Sequence, residues 1–183
     1  FDAVLEEGIE LKMINLGGGY PASYVDPTFS IDEYSVEIMR FLTEDFGDHL
    51  PQLVMEPGRS LVADAGVIVS EVVNIASKAK NNLYKWVYLD VGKFGGLIET
   101  IDESIKFPIY FERQGLADEV ILAGPTCDSM DIMYEYYKYH MPDTTQPGDR
   151  VYIFTTGAYT QSYSSVNFNG FPPLRAAILP PAK

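Results

Sequence analysis

The chain has one thiol, Cys127, set in "GPTCDSMD" between a Gly-Pro turn and two carboxylates, Asp128 and Asp131. A thiol there can donate a proton to a carbanion or, once ionised, attack as a nucleophile. Nucleophilic hydrolysis needs a histidine as base. Neither His49, at a helix end, nor His140, in an aromatic-rich segment, is well placed for that. One Cys and no spaced His pair argue against a metal centre. A buried free cysteine beside a helix cap is the plain structural alternative.

Four other stretches carry residue types that do chemistry. "NLGGGYP" sets Gly17, Gly18 and Gly19 directly after a strand-like run. Consecutive glycines let backbone N–H groups close on a phosphate, or simply make a tight turn. "MEPGRS" places Glu56 and Arg59 on either side of the Pro57–Gly58 turn, where the carboxylate can face a ligand's basic nitrogen or join a salt bridge. "TTGAYTQSYSS" puts Tyr159 in a hydroxyl-rich loop, its phenol able to donate to an anionic oxygen or to lie on a surface. "LDVGKFGGLIETIDES" leads from a strand through a glycine turn into Glu99, Asp102 and Glu103, acids that can hold an amine or be solvated.

The elements that must position these residues fall into two textures. Residues 1–65 alternate helix and strand. Val4, Leu5 and Ile9 have helical spacing over Phe1 to Leu11, and "KMINL" is a short strand. Ser30 and Glu33 form a capping box that opens a helix with an apolar stripe of Ile31, Tyr34, Ile38, Phe41 and Leu42, ended by Gly47. "QLVM" is a second strand. This β-α-β rhythm belongs to a parallel sheet or a (β/α) barrel. Residues 66–183 hold strand-like runs, "VIVSEVVNIAS", "YKWVYLDV", "EVILAG", "RVYIFTT" and "LRAAIL", and predict an all-β domain. Two βα steps close no barrel, so a preceding half of the same protein is expected.

The totals narrow the partners. Twenty-six acids against thirteen bases give a net charge of -13, which argues against nucleic acid and anionic membranes. No apolar run approaches the roughly 18 residues of a membrane helix. A single Cys forms no intrachain disulfide, so the chain suits the cytoplasm rather than a disulfide-built secreted scaffold.

"GGGYP", "EPGRS", "GPTCDSMD" and "GAYT", in that order and with "NFNGF" ending at Phe171, resemble the ornithine/lysine decarboxylase family across essentially the whole chain. These are pyridoxal 5'-phosphate enzymes with an alanine-racemase-like (β/α)8 barrel followed by a β-barrel or sandwich domain. The resemblance implies that Gly17, Gly18, Gly19 and Arg59, with the Pro57–Gly58 turn and the Tyr159 phenol, hold the cofactor. Glu56 would pair with its pyridine nitrogen. Cys127 would reprotonate the substrate carbon after CO₂ leaves, and Asp128 would take the distal ammonium of a basic amino acid. A gap-free count puts Glu103, with Asp102 beside it, where the family has a second acid for that ammonium.

The resemblance further implies a homodimer with shared sites, Cys127 and Asp128 reaching across the interface. The family's Schiff-base lysine lies early in the barrel, and no lysine of this chain matches its motif, so this chain alone is expected to be inactive. Ornithine or lysine is the expected substrate, giving putrescine or cadaverine in polyamine biosynthesis. Arginine and diaminopimelate decarboxylases and a cofactor-free regulatory decoy are the alternatives.

Overall fold

A computed structural model of the protein describes residues 2–77 and 83–180. The N-terminal part comprises α1 (Asp2–Glu6), β1 (Met13–Asn15), α2 (Ile31–Phe46), β2 (Gln52–Val54) and α3 (Arg59–Val62). Six longer-range strands follow: β3 (Val67–Ala76), β4 (Lys85–Leu89), β5 (Ile109–Phe111), β6 (Ala117–Ala123), β7 (Ile132–Pro142) and β8 (Arg150–Phe154).

The capping box forms as its spacing predicts. Ser30 Oγ accepts from Glu33 N at 3.2 Å, and the Glu33 carboxylate accepts from Ser30 N at 2.7 Å. The Ser30 backbone donor holds the Glu33 carboxyl below the usual carboxylate range. Gly47 ends α2 at a positive φ of 54°, its N–H bonded to Thr43 O. Of the predicted apolar stripe only Leu42 is buried, while Ile31 and Phe41 are each more than half exposed. The reason is the small size of what lies beside it: β1 and β2 make only a two-stranded parallel pair, Met13 opposite Gln52. The first helix stops at Glu6, ahead of Gly8 at a φ of +73°, and does not run on to Leu11.

The other strands form one mixed sheet in the order β5-β8-β3-β4-β6-β7, antiparallel except for β4 against β6. The bend comes from β3. Its first half, Val67–Glu71, pairs with β8, and its second half, Val72–Ala76, pairs with β4. The sheet therefore curls, and its edge strands β5 and β7 approach each other. Alternation decides what lies inside: Ile68, Ser70 and Val72 of β3 are buried, while Val67, Val69 and Glu71 face outward. Val87, Leu89, Val120, Leu122, Val151 and Ile153 complete the centre of the core.

Two readings of strands differ from the structure. "LRAAIL" forms no strand: Pro172 and Pro173 precede it, Pro180 ends it, and Ile178 and Leu179 are almost fully exposed. Proline cannot donate to a ladder, and only Leu174 of the segment packs on the core. Conversely, the aromatic-rich "IMYEYYKYHMP" is β7, the longest strand. Tyr134 and Tyr139 point inward from it. Tyr134 Oη accepts from Phe107 N at 3.1 Å and donates to Ile105 O at 2.8 Å, and Tyr139 Oη donates to Phe107 O at 2.7 Å. Burial pushes both phenols well above their ordinary range. These bonds tie the segment before Phe107 to the sheet, which matters for the site. Among the described residues no helix is long and apolar enough to cross a membrane.

Candidate functional site

The first group sits where β1 and β2 end side by side. Asn15, the last residue of β1, accepts the N–H of Gly17 at Oδ1 (2.8 Å) and donates from Nδ2 to Glu56 Oε1 (2.7 Å). Glu56 N in turn donates to Gly17 O at 2.8 Å. Asn15 thus makes an Asx turn that leads into the glycines and orients the Glu56 carboxylate with its other end. Gly18 packs against the Glu56 backbone so closely that a Cβ would lie 2.6 Å from the carbonyl oxygen. Gly17 and Glu56 are joined by that backbone bond, and the Gly17 N–H is already taken. Gly18 and Gly19 are left as the donors of the triplet.

The second group surrounds Arg59 at the start of α3. Glu99 accepts from both guanidinium ends, Nη2 to Oε1 at 2.5 Å and Nη1 to Oε2 at 3.0 Å, and Tyr24 Oη accepts from Nη1 at 2.6 Å. Glu99 is the main reason the guanidinium holds its proton even more firmly than usual. The Tyr159 ring lies 4.9 Å from the guanidinium carbon, and the Tyr159 hydroxyl faces Gly58. Tyr159 is 43 % exposed and left-handed, with a φ of +63°. Its loop is tethered by Gly157, whose N–H donates to Ala63 O at 2.8 Å and whose missing Cβ leaves room for the Val62 carbonyl. That close approach is the physical content of "GAYT". Pro57 is half-buried in the turn between Glu56 and Gly58.

The third group is the acidic loop after β4, and its three carboxylates part company. Glu99 holds Arg59. Glu103 accepts from Glu135 N and Tyr136 N at Oε1 (2.6 and 2.7 Å) and from Tyr137 N at Oε2 (2.7 Å). These amides lie where β7 bulges away from β6, between the pairs Leu122–Tyr134 and Val120–Tyr139. The carboxylate of Glu103, the acid that the gap-free count places at the substrate, is the partner of the bulge. Asp102, exposed and left-handed at a φ of +52°, is the acid of the pair that faces outward. We therefore expect Glu103→Gln to cost about 2–3 kcal/mol of stability, read by denaturant unfolding of the full-length protein. Asp102→Asn is expected to leave stability unchanged.

Cys127 belongs to a fourth, separately anchored loop. Asp131 is only 2 % exposed. Its carboxylate accepts from Lys93 N (2.8 Å), Thr126 N (3.1 Å) and Thr126 Oγ1 (2.7 Å). A Cβ on Gly92 or on Gly124 would collide with it. Asp131 is thus the pin between the "GPTC" turn and the "VGKFGG" turn. Lys93 is itself buried, and desolvation lowers its affinity for a proton. Asp128 caps the short turn Ser129–Asp131 by accepting from Met130 N at 2.8 Å. Cys127 is exposed, and its Sγ donates to Asn169 Oδ1 at 2.8 Å.

The structure therefore brings Gly18 and Glu56 together beside Asn15, and Gly58, Arg59 and Tyr159 together at the start of α3, with the Pro57 turn between the two groups. No hydrogen bond or ion pair among the described residues joins Cys127 or Asp128 to either group. The two halves are linked by the loop from Gly92 to Glu103, through Asp131 at one end and Arg59 at the other, and by the segment from Tyr159 to Asn169.

Residues 20–157 match the model of the pyridoxal-dependent decarboxylases, C-terminal sheet domain. The chain belongs to that family. It is 33% identical over 170 residues to diaminopimelate decarboxylase of Staphylococcus aureus, covering 90% of this chain and 39% of that protein. It is 26% identical over 173 residues to the lysine/ornithine decarboxylase of Selenomonas ruminantium, covering 93% of this chain and 42% of that protein. Its fold matches the crystal structure of lysine/ornithine decarboxylase complexed with cadaverine from Vibrio vulnificus with a TM-score of 0.79 at 30% identity, over 94% of this chain and 46% of that one. The chain thus spans about two fifths of the length of the curated relatives it matches. The matched residues take in the whole curled mixed sheet and, ahead of it, α2, β2 and α3.

Proposed function

We propose that the protein of which this chain is part decarboxylates L-ornithine or L-lysine to the diamine, using pyridoxal phosphate. The observation that carries this reading is the Glu56 carboxylate, aimed by Asn15 beside a glycine turn, Arg59 and the Tyr159 hydroxyl.

These residues suit the cofactor's two ends. Glu56 would hold the proton on the pyridine nitrogen. Gly18 and Gly19 N–H and the Tyr159 hydroxyl would hold the phosphate, with Arg59 contributing a charge already shared with Glu99. When bound, the cofactor supplies an electron sink for the charge left by departing CO₂. The protein's own part is to protonate the substrate carbon, for which Cys127 S–H is the candidate acid. Asp128 and Asp102 would hold the distal ammonium. The exposed apolar residues of α2 fit the packing of a complete barrel, and the separation of Cys127 from Glu56 fits a homodimer in which each subunit completes the other's site.

A second reading, diaminopimelate decarboxylase, is favoured by the Staphylococcus aureus relative. The full-length protein, supplied with pyridoxal phosphate and equal concentrations of ornithine, lysine, arginine and meso-diaminopimelate, separates them by the amines released. Putrescine or cadaverine is expected in at least about tenfold excess, a difference of about 1.4 kcal/mol in specificity. Lysine formed chiefly from diaminopimelate would replace the first reading by the second, and no CO₂ from any of the four would end both.

A further inference from the structure

Cys127 is held at two points. Its backbone is fixed by Asp131, which grips the preceding Thr126 through both N–H and hydroxyl. Its sulfur is fixed by Asn169, on a segment some forty residues later in the chain. That segment is itself well anchored. The Phe168 ring stacks on Phe94 with centroids 4.2 Å apart, Ser165 N donates to Phe94 O at 2.8 Å, and Leu174 N donates to Ser164 Oγ at 2.8 Å. Asn167 and Asn169 are both left-handed, at φ of +57° and +52°, a conformation Asn tolerates better than most residues. The turn they make carries the Asn169 amide to the sulfur.

We propose that Asn169 is a positioning residue for Cys127. Its carbonyl oxygen accepts the S–H bond and so holds the sulfur in one place in the loop until the proton is transferred. In the transfer the S–H bond breaks, its proton forms the new C–H bond at the substrate carbon, and the thiolate left behind recovers a proton from water. A carbonyl suits this task where a carboxylate or an ammonium does not. A neutral carbonyl holds the sulfur without placing a charge beside it.

The proposal rests on the reading of Cys127 as the acid, and its test reads the thiol directly. Alkylation of Cys127 by iodoacetamide is followed by peptide mass in the full-length protein with pyridoxal phosphate, from pH 6 to pH 10. Thiolate is the reacting form. Asn169→Gly removes the amide at a left-handed position that glycine adopts without strain. Asn169→Asp keeps the shape and adds a negative charge. Asn167→Gly alters the same turn away from the sulfur and serves as control.

In Asn169→Asp the midpoint of alkylation is expected to rise by about one pH unit, making the reaction about tenfold slower on the rising limb. In Asn169→Gly, which frees the sulfur, alkylation is expected to quicken severalfold, and Asn167→Gly is expected to match the parent. Identical profiles in all four proteins overturn the proposal. Equal acceleration in both Asn169 variants with no change of midpoint also overturns it, since that pattern reports only a loosened loop. The outcome does not depend on turnover, so a protein that fails to decarboxylate can still give the expected titration, and an active one can still refute it.

Discussion

In the full-length protein, Cys127→Ala is expected to release CO₂ faster than it releases diamine. Loss of CO₂ needs an electron sink and a correctly held carboxylate, neither of which involves the thiol. Formation of the diamine needs a proton delivered to the substrate carbon, and Cys127 is the candidate donor. A positioned general acid contributes about 10²–10⁴-fold to its step, so diamine formation is expected to fall at least about 100-fold. CO₂ release is expected to fall less, with the deficit in diamine appearing as the corresponding aminoaldehyde through protonation at the wrong carbon. The check is the molar ratio of diamine to CO₂, near one in the parent and well below one half in the variant. A ratio that stays near one while both rates fall together would remove Cys127 from the protonation step. Complete loss of both products would instead point to a nucleophilic role. Cys127→Ala also breaks the bond to Asn169, but Asp131 still holds the loop through Thr126, so the backbone should remain in place.

Much of the scaffold was legible because local chemistry specifies it. Ser30, Glu33 and Gly47 bound α2 through bonds between near neighbours, and the β-branched run of β3 marks a strand, although outward Val67 and Val69 and inward Ser70 hide which face goes inside. What could not be read depends on contacts between distant segments. Nothing in "ETIDES" distinguishes Glu99, which pairs with Arg59 forty residues away, from Glu103, which caps the amides of a bulge in β7. Both carry the same side chain and sit in the same loop. Their partners are decided by how β7 departs from β6, which a single sequence does not reveal. The run "IMYEYYKYHMP" hid its strand for a related reason: its bulge interrupts the simple alternation that marks a strand. "LRAAIL" misled in the opposite way, since its apolar composition suits a strand but prolines deny it a ladder. Asn15 did leave a signal, an Asn two residues before a glycine at the end of a strand, which is the pattern of an Asx turn. Its second bond, to Glu56, depends on β2 lying parallel beside β1.

The remaining large effect is expected from Glu56. Around the site the acids are neutralised to different degrees. Glu99 is matched by the guanidinium of Arg59, and Glu103 is surrounded by three amide donors. Glu56 receives one bond from a neutral amide, Asn15 Nδ2, at 2.7 Å. Asn15 therefore directs the carboxylate without cancelling its charge, and that charge is what a protonated pyridine nitrogen requires. Glu56→Gln keeps the size and the capacity to accept from Asn15 but cannot hold that proton. Removal of one preorganised electrostatic partner typically costs 10²–10³ in rate, so kcat of the full-length protein is expected to fall by about that factor. KM is expected to change little, because Asp128 and Asp102 are the residues proposed for the distal ammonium, and pyridoxal phosphate is expected to remain bound through its phosphate. Asn15→Ala leaves the charge but frees its direction, and should lower kcat only about tenfold. The order of the two variants is the decisive reading. If Asn15→Ala proves as damaging as Glu56→Gln, the shared Asx turn at Gly17 matters more than the charge. If Glu56→Gln stays within tenfold of the parent, the nitrogen has another partner.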